Sequence, residues 1–149
     1  MINTCTKCKI EKEKSDFYTE KRVASGIATQ CKDCHNIQVI NMTRSKLGKL
    51  KKLYDKQVQS SKKRGHNKPL YTKKEFVDMF INDSDYLRHY DNWVNNNYIR
   101  YFSPSFDRKD DDKPYTFDNI QIMYWFENDL KGHQTYKRNR HKQTDFKTV

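Results

Sequence analysis

Two pairs of cysteines, Cys5-Thr6-Lys7-Cys8 and Cys31-Lys32-Asp33-Cys34, set the strongest constraint on this chain. Each pair reads C-x2-C, and 22 residues lie between the pairs. Two knuckles of this kind can close a tetrahedral four-thiolate site, the arrangement Zn2+ takes from sulfur ligands. The intervening residues are mostly polar, with Phe17, Tyr18, Val23 and Ile27 as their apolar cluster. A cluster that small does not hold a module of about 35 residues by burial alone, and a metal staple is the remedy small domains use. Unrelated thiols have no reason to pair in this way, and a redox C-x-x-C lacks its strand–helix setting here. The expectation is one closed, structural Zn2+ on Cys5, Cys8, Cys31 and Cys34, with His35 a bystander.

Composition limits the rest. The chain has 149 residues, 34% hydrophobic and 33% charged, with a net charge of +11. One large core is excluded, but 13% aromatic residues argues against disorder. No apolar run reaches membrane-spanning length and no signal-peptide core follows Met1, so a soluble, cytoplasmic protein is expected, with reduced cysteines. Charge is segregated. Residues 44–74 hold 12 Lys or Arg and one acid, residues 75–130 five and 12, and residues 131–149 six and one. Basic blocks flanking an acidic one suit a polyanionic partner, since like charges repel without one.

Residues 36–64 read as a helix with Leu47, Leu50, Tyr54 and Val58 near helical spacing and lysines elsewhere. Gly65 is its stop signal. Lys49, Lys51, Lys52, Lys62, Lys63 and Arg64 are its candidate phosphate contacts. Thr72-Lys73-Lys74-Glu75 is a capping box for a helix with Phe76, Val77 and Phe80 inward. Asp83 or Ser84 can cap another, carrying Tyr86, Leu87, Tyr90, Trp93 and Val94 as core rather than as base-stacking groups. Residues 98–102 read as a strand.

From Pro104 to Gly132 the order is strand, loop, strand, helix. Ser105, Phe106 and Asp107 suit a strand. Three acids fill a loop closed by Pro114-Tyr115, Ile120 to Trp125 alternate, and residues 125–131 favour a helix that stops at Gly132. This order resembles the ββα-metal core of the HNH (His-Me finger) endonuclease superfamily. DRKDDDKPYTFDNIQ resembles the wording of a phage and mobile-element, homing-type subgroup. The resemblance is strong over the last third of the chain and looser at the cysteine module.

The resemblance implies roles residue by residue. Asp107 stands at the metal-ligand Asp, Asn119 at the loop Asn, and Asn128 at the helix ligand. Arg108 stands where the family has its general-base His. Hard oxygens from Asp107 and Asn128 would suit Mg2+ or Mn2+, leaving positions for phosphate and water. Asn119 would fix the loop. Arginine cannot take a proton from water, so Arg108 would clamp the scissile phosphate. The base is then Asp110, which falls at the His place of the similar Asp-Arg-Gly-His signature, or a distant His66, His89 or His133; or the protein binds and does not cut.

The whole reads as α+β. A zinc-stabilised module spans 1–36, a basic and aromatic helical region 37–97, a ββα-metal core 98–132, and a basic tail 133–149. The expected function is metal-dependent cleavage of double-stranded DNA by a monomer or weak dimer. The alternative is a non-catalytic, zinc-stabilised DNA- or RNA-binding protein.

Overall fold

In the computed structural model, which describes residues 1–134, both cysteine pairs sit where short elements turn. Strands β1 (Ile2–Thr4) and β2 (Glu11–Glu13) form an antiparallel hairpin, and its turn carries Cys5 and Cys8. Lys9, in the left-handed region at φ 60°, closes that turn. Strands β3 (Phe17–Thr19) and β4 (Ile27–Cys31) form a second antiparallel pair with a register shift. β4 ends on Cys31, and Cys34 lies in the first turn of the helix α1 (Lys32–Arg44), so the second pair does have the strand–helix setting expected to be absent. What argues against a redox pair is that all four sulfurs converge. These elements make one compact unit, Met1–Ser45. Its buried apolar residues are Phe17 and Ile27 beside Cys5 and Cys31.

The single helix expected over 36–64 is two helices. α1 starts earlier, at Lys32, and α2 spans Lys46–Lys63. Ser45 separates them with extended backbone, ψ 156°. Its hydroxyl donates to the Met42 carbonyl at 2.7 Å, the local competition with helical bonding that serine offers. The periodicity of apolar residues carries no mark of such a break.

The second unit begins at Lys46. α2 turns Leu50, Leu53, Gln57 and Ser61 inward. It ends as expected at Gly65, φ +69°, with the His66 N–H donating to the Ser61 carbonyl at 2.9 Å. Helix α3 (Lys73–Phe80) has the full reciprocal box between Thr72 and Glu75. Helix α4 (Ser84–Asn95) is capped by Asp83, whose carboxylate accepts the Tyr86 N–H. Asn97, at φ 53°, then closes α4, with Tyr98 N–H donating to the Trp93 carbonyl at 2.9 Å. This closure puts Tyr98 at φ 59° too, and residues 100–102 form a 3-10 turn in place of the expected strand.

Strand β5 (Pro104–Arg108) pairs antiparallel with β6 (Ile120–Tyr124), Asp107 opposite Gln121. A helix follows at once over residues 125–134, here α5, and it runs through Gly132 instead of stopping there. The expected tail, 133–149, therefore begins within this helix, and from residue 135 on it lies outside the described residues. The core between the hairpin and α2–α4 is chiefly aromatic. Phe106 packs edge-on against Phe76 and Phe80, with centroids 4.9 and 4.7 Å apart, and Tyr71 stacks on Phe117 at 4.5 Å. Among the described residues no helix is long and apolar enough to cross a membrane.

Candidate functional site

The four thiols converge. The sulfur atoms of Cys5, Cys8, Cys31 and Cys34 lie within 4.8 Å of one another, the one such group of His, Cys, Asp or Glu among the described residues. None is in a disulfide. The N–H groups of Cys31 and Lys7 point at Cys5 Sγ, at 3.3 and 3.4 Å. Backbone N–H donation, from Cys31 first and then Cys8, holds the Cys5 thiol down to about 6. Cys34 is pushed the other way, to about 12, by burial first and then by the three neighbouring sulfurs. Four thiols at this separation do not all ionise against one another, and a divalent cation is what lets them. The donor set fits a structural Zn2+ with no position left open.

The second site is a cavity of about 380 Å³ within the unit that begins at Lys46. One wall is β5 and α5, with Ser105, Asp107, Asn128, Asp129 and His133; the other is α2, with Lys56, Gln57 and Ser60, and Arg64 just past its end. Asp107 is buried, and its Oδ2 accepts from Lys131 Nζ at 2.6 Å. Asn128 Nδ2 donates to Ser105 Oγ at 2.8 Å and to the Phe106 carbonyl at 3.3 Å, tying α5 to β5. That leaves the side-chain oxygen of Asn128 as its remaining acceptor. His133 Nε2 lies 3.5 Å from Asp129 Oδ2, one turn away on α5.

The loop between β5 and β6 is internally tied. Asn119 Oδ1 accepts the Asp110 N–H at 2.9 Å, and Nδ2 donates to the Asp110 and Pro114 carbonyls at 3.0 and 2.9 Å. Asn119 thus pins both ends of the turn. Asp110 is occupied by the same turn. Its Oδ1 accepts the Asp112 N–H at 3.0 Å and its Oδ2 lies 3.2 Å from Lys113 Nζ. The Asp112 N–H, and next Lys113, hold its carboxyl below the usual carboxylate range, which makes it a weaker base.

Arg108 departs from the role expected of it. The side chain is 3% exposed, with one terminal N–H donating to the Lys113 carbonyl at 2.9 Å and the guanidinium 5.3 Å from the Tyr115 ring centre. Its other terminal nitrogen is 3.8 Å from Asp111. A guanidinium held inside the loop does not meet an incoming phosphate, so its placement makes it a loop tie. Lys49 is likewise corrected. It folds inward over the Trp93 ring, 4.6 Å from the centre, and bonds Ser103 Oγ, and burial pulls its pKa down to about 8. Lys51, Lys52, Lys62, Lys63 and Arg64 are exposed.

Of the distant histidines, His89 is buried against Tyr124, its Nδ1 2.7 Å from the Asp85 carbonyl, and His66 is exposed past the end of α2. His133 lines the cavity. Sequence reasoning missed Lys131 and Gln57. Lys131 had one available signal, its i,i+3 spacing from Asn128 on the same helix. Gln57 had none, being a neutral residue in a lysine-rich run. No family model, no curated protein and no solved structure matches the chain.

Proposed function

We propose that this protein is a metal-dependent endonuclease of the ββα-metal kind, acting on double-stranded DNA, with a structural Zn2+ in the four-cysteine unit. The observation that supports this best is the cavity itself: Asp107, Asn128 and His133 on one wall, Lys56 and Arg64 on the other. Phosphodiester hydrolysis needs an activated water, charge relief on phosphate and help for the leaving oxygen. A bound Mg2+ or Mn2+ would supply the last two. Asp107 and the Asn128 side-chain oxygen are the hard donors that would hold it. His133, with Asp129 beside it, is the group on this wall suited to take a proton from water. Asn119 and Arg108 keep the loop in shape.

Lys131 is the tension in this reading. Its ammonium already neutralises Asp107 Oδ2, so a metal would share or displace it. The same contact favours the second reading, a zinc-stabilised DNA-binding protein that does not cut. Plasmid nicking with Mg2+ or Mn2+, with and without EDTA, separates the two. Cutting should require the metal, and Asp107→Ala should lower it roughly a thousandfold or more, the loss of several kcal/mol of charge stabilisation, without weakening DNA binding. His133→Gln should cost about 10²–10⁴-fold in cutting, the usual worth of a positioned base. An Asp107→Ala protein that cuts like the parent would falsify the metal assignment.

A further inference from the structure

We propose that residues 100–101, laid across residues 125–126, form a surface platform on which an unpaired base of single-stranded DNA stacks. The proposal deepens the nuclease reading and rests on it for the choice of DNA as the partner.

Two consecutive stacks build the platform. The Tyr101 ring lies on the Phe126 ring, with centroids 4.3 Å apart and planes 4° from parallel. One residue earlier on both segments, the Arg100 guanidinium lies over the Trp125 ring, 4.2 Å from its centre. The Tyr124 ring continues the series, 11° from parallel with Phe126. The Trp125 N–H donates to the Ser103 carbonyl at 2.8 Å, which ties the two segments together. Tyr124 is held in turn by Asn92, whose Nδ2 donates to its hydroxyl at 3.1 Å.

The platform is open to water. Tyr101 is 49% exposed, Arg100 is exposed, and Trp125 and Phe126 are half-buried. Ile99, two residues before Tyr101, is 54% exposed. Leu130, one turn from Phe126 on the same face of α5, is 57% exposed. In a chain with so little apolar material, large apolar groups left outside the core at one place mark an interaction surface.

Charge and shape say what that surface takes. Arg100 is its own cation, and Lys56 is close enough to feel it: burial first, and then Arg100, lower the Lys56 pKa, while Asp129 raises it. The acids on this part of α5 are engaged. Glu127 Oε2 accepts the Tyr124 N–H at 2.7 Å, and Asp129 Oδ2 is 3.5 Å from His133 Nε2. Flat rings beside a flat guanidinium are what nucleobases stack on, with their phosphates drawn to nearby cations. In a duplex the bases cover one another's faces, so an unpaired base is the fit. Trp125 and Lys56 also line the cavity that holds Asp107, so a strand stacked here leads to that cavity.

The test uses the full chain with its zinc, no added Mg2+, and a short single-stranded DNA oligomer with 2-aminopurine flanked by thymines. Stacking quenches 2-aminopurine, so its fluorescence should fall on binding to the parent. Tyr101→Leu keeps apolar bulk and removes the ring. Quenching should vanish and binding should weaken about ten- to hundredfold, the usual worth of a stacked base. Tyr101→Trp should keep both. A parent that leaves the fluorescence unchanged overturns the proposal, as does a folded Tyr101→Leu protein that quenches like the parent. Should Tyr101→Leu not fold, the Tyr101 ring-proton NMR signals of the parent must move upfield on adding the oligomer, and unmoved signals overturn the platform. Self-association that Tyr101→Leu abolishes, with no quenching by the parent, gives the surface to a second copy of the chain and overturns the proposal. Quenching by a parent that never nicks DNA upholds the platform and sinks the nuclease reading. Metal-dependent nicking by a parent that does not quench does the reverse.

Discussion

The unit Met1–Ser45 and the unit that begins at Lys46 solve the problem of a thin core in opposite ways. The first has Phe17 and Ile27 as its buried non-cysteine apolar residues and gathers four sulfurs within 4.8 Å of one another. The second has no metal-type cluster among its described residues and packs aromatic rings, with Phe76 and Tyr86 fully enclosed. With the Zn2+ we propose, the first unit's stability is chemical, conditional on that cation and on thiol deprotonation. The second unit's is a matter of burial, about 25 cal/mol for each Å² of apolar surface removed from water. The difference teaches where function has room. A closed tetrahedral site leaves no position for substrate, whereas a core of large rings beside a hairpin leaves a cavity that polar side chains can line.

The largest effect that would break this contrast is removal of metal. Chelation, or Cys31→Ser, should unfold the first unit and leave the second folded, read as loss of amide dispersion confined to residues 1–45. Structural zinc contributes roughly 10–16 kcal/mol in comparable small modules at neutral pH. Elemental analysis should find one zinc per chain, and a folded sample without it would refute the staple. Truncating the aromatic core should do the converse. Phe76→Ala or Phe106→Ala should cost about 3–5 kcal/mol in the second unit's denaturation, the usual range for a buried ring, and leave the zinc bound.

A smaller effect sharpens the comparison within α2. Neutralising Lys51, Lys52, Lys62 and Lys63 together should weaken duplex binding and flatten its salt dependence, by about 0.9 of a unit of slope for each DNA phosphate that is no longer neutralised. Lys49→Met should leave that slope unchanged, because the Lys49 ammonium is turned onto Trp93 and Ser103. Lys49 should appear in stability instead. Its folded pKa, about 8, lies below the ordinary 10.5, so between those values the unfolded chain binds more protons and stability rises with pH. Below about 8 the amine is charged in both states and the contribution is flat. Denaturant midpoints of the parent from pH 7 to 10 should show a rise that Lys49→Met lacks.

How much of this was readable in the sequence follows the range of each interaction. Local rules held where the interaction is local. The cysteine pairs fall in a hairpin turn and at a strand–helix junction, Thr72 and Glu75 close their box, Asp83 caps α4, and Gly65 ends α2. Alternation from Ile120 to Tyr124 marks β6. Where a local rule failed, another local preference had overridden it, as at Ser45, where the hydroxyl competes for a carbonyl, and at Tyr98, carried into the left-handed region by the closure of α4. At Gly132 the helix continues, since glycine only permits a stop and does not impose one.

The candidate site divides along the same line. Residue types and their spacing alone determined that four thiols would converge, that Asp107 and Asn128 would lie on a strand and the helix after it, and that Asn119 would sit at the foot of an acidic loop. What each charged group faces was decided by the tertiary structure. Lys131 reaches Asp107 across 24 residues of chain and Lys49 reaches Ser103 across 54. Arg108 turns into its own loop because Tyr115 and the Lys113 carbonyl close over it. Gln57 becomes an orphaned donor only because Tyr71, 14 residues away, holds the other end of its amide. A charge or an amide has the same local propensity whether it meets water, a ring or an opposite charge. The free energy of that choice is set by desolvation and pairing, and both depend on groups that only the folded chain brings within a few ångströms.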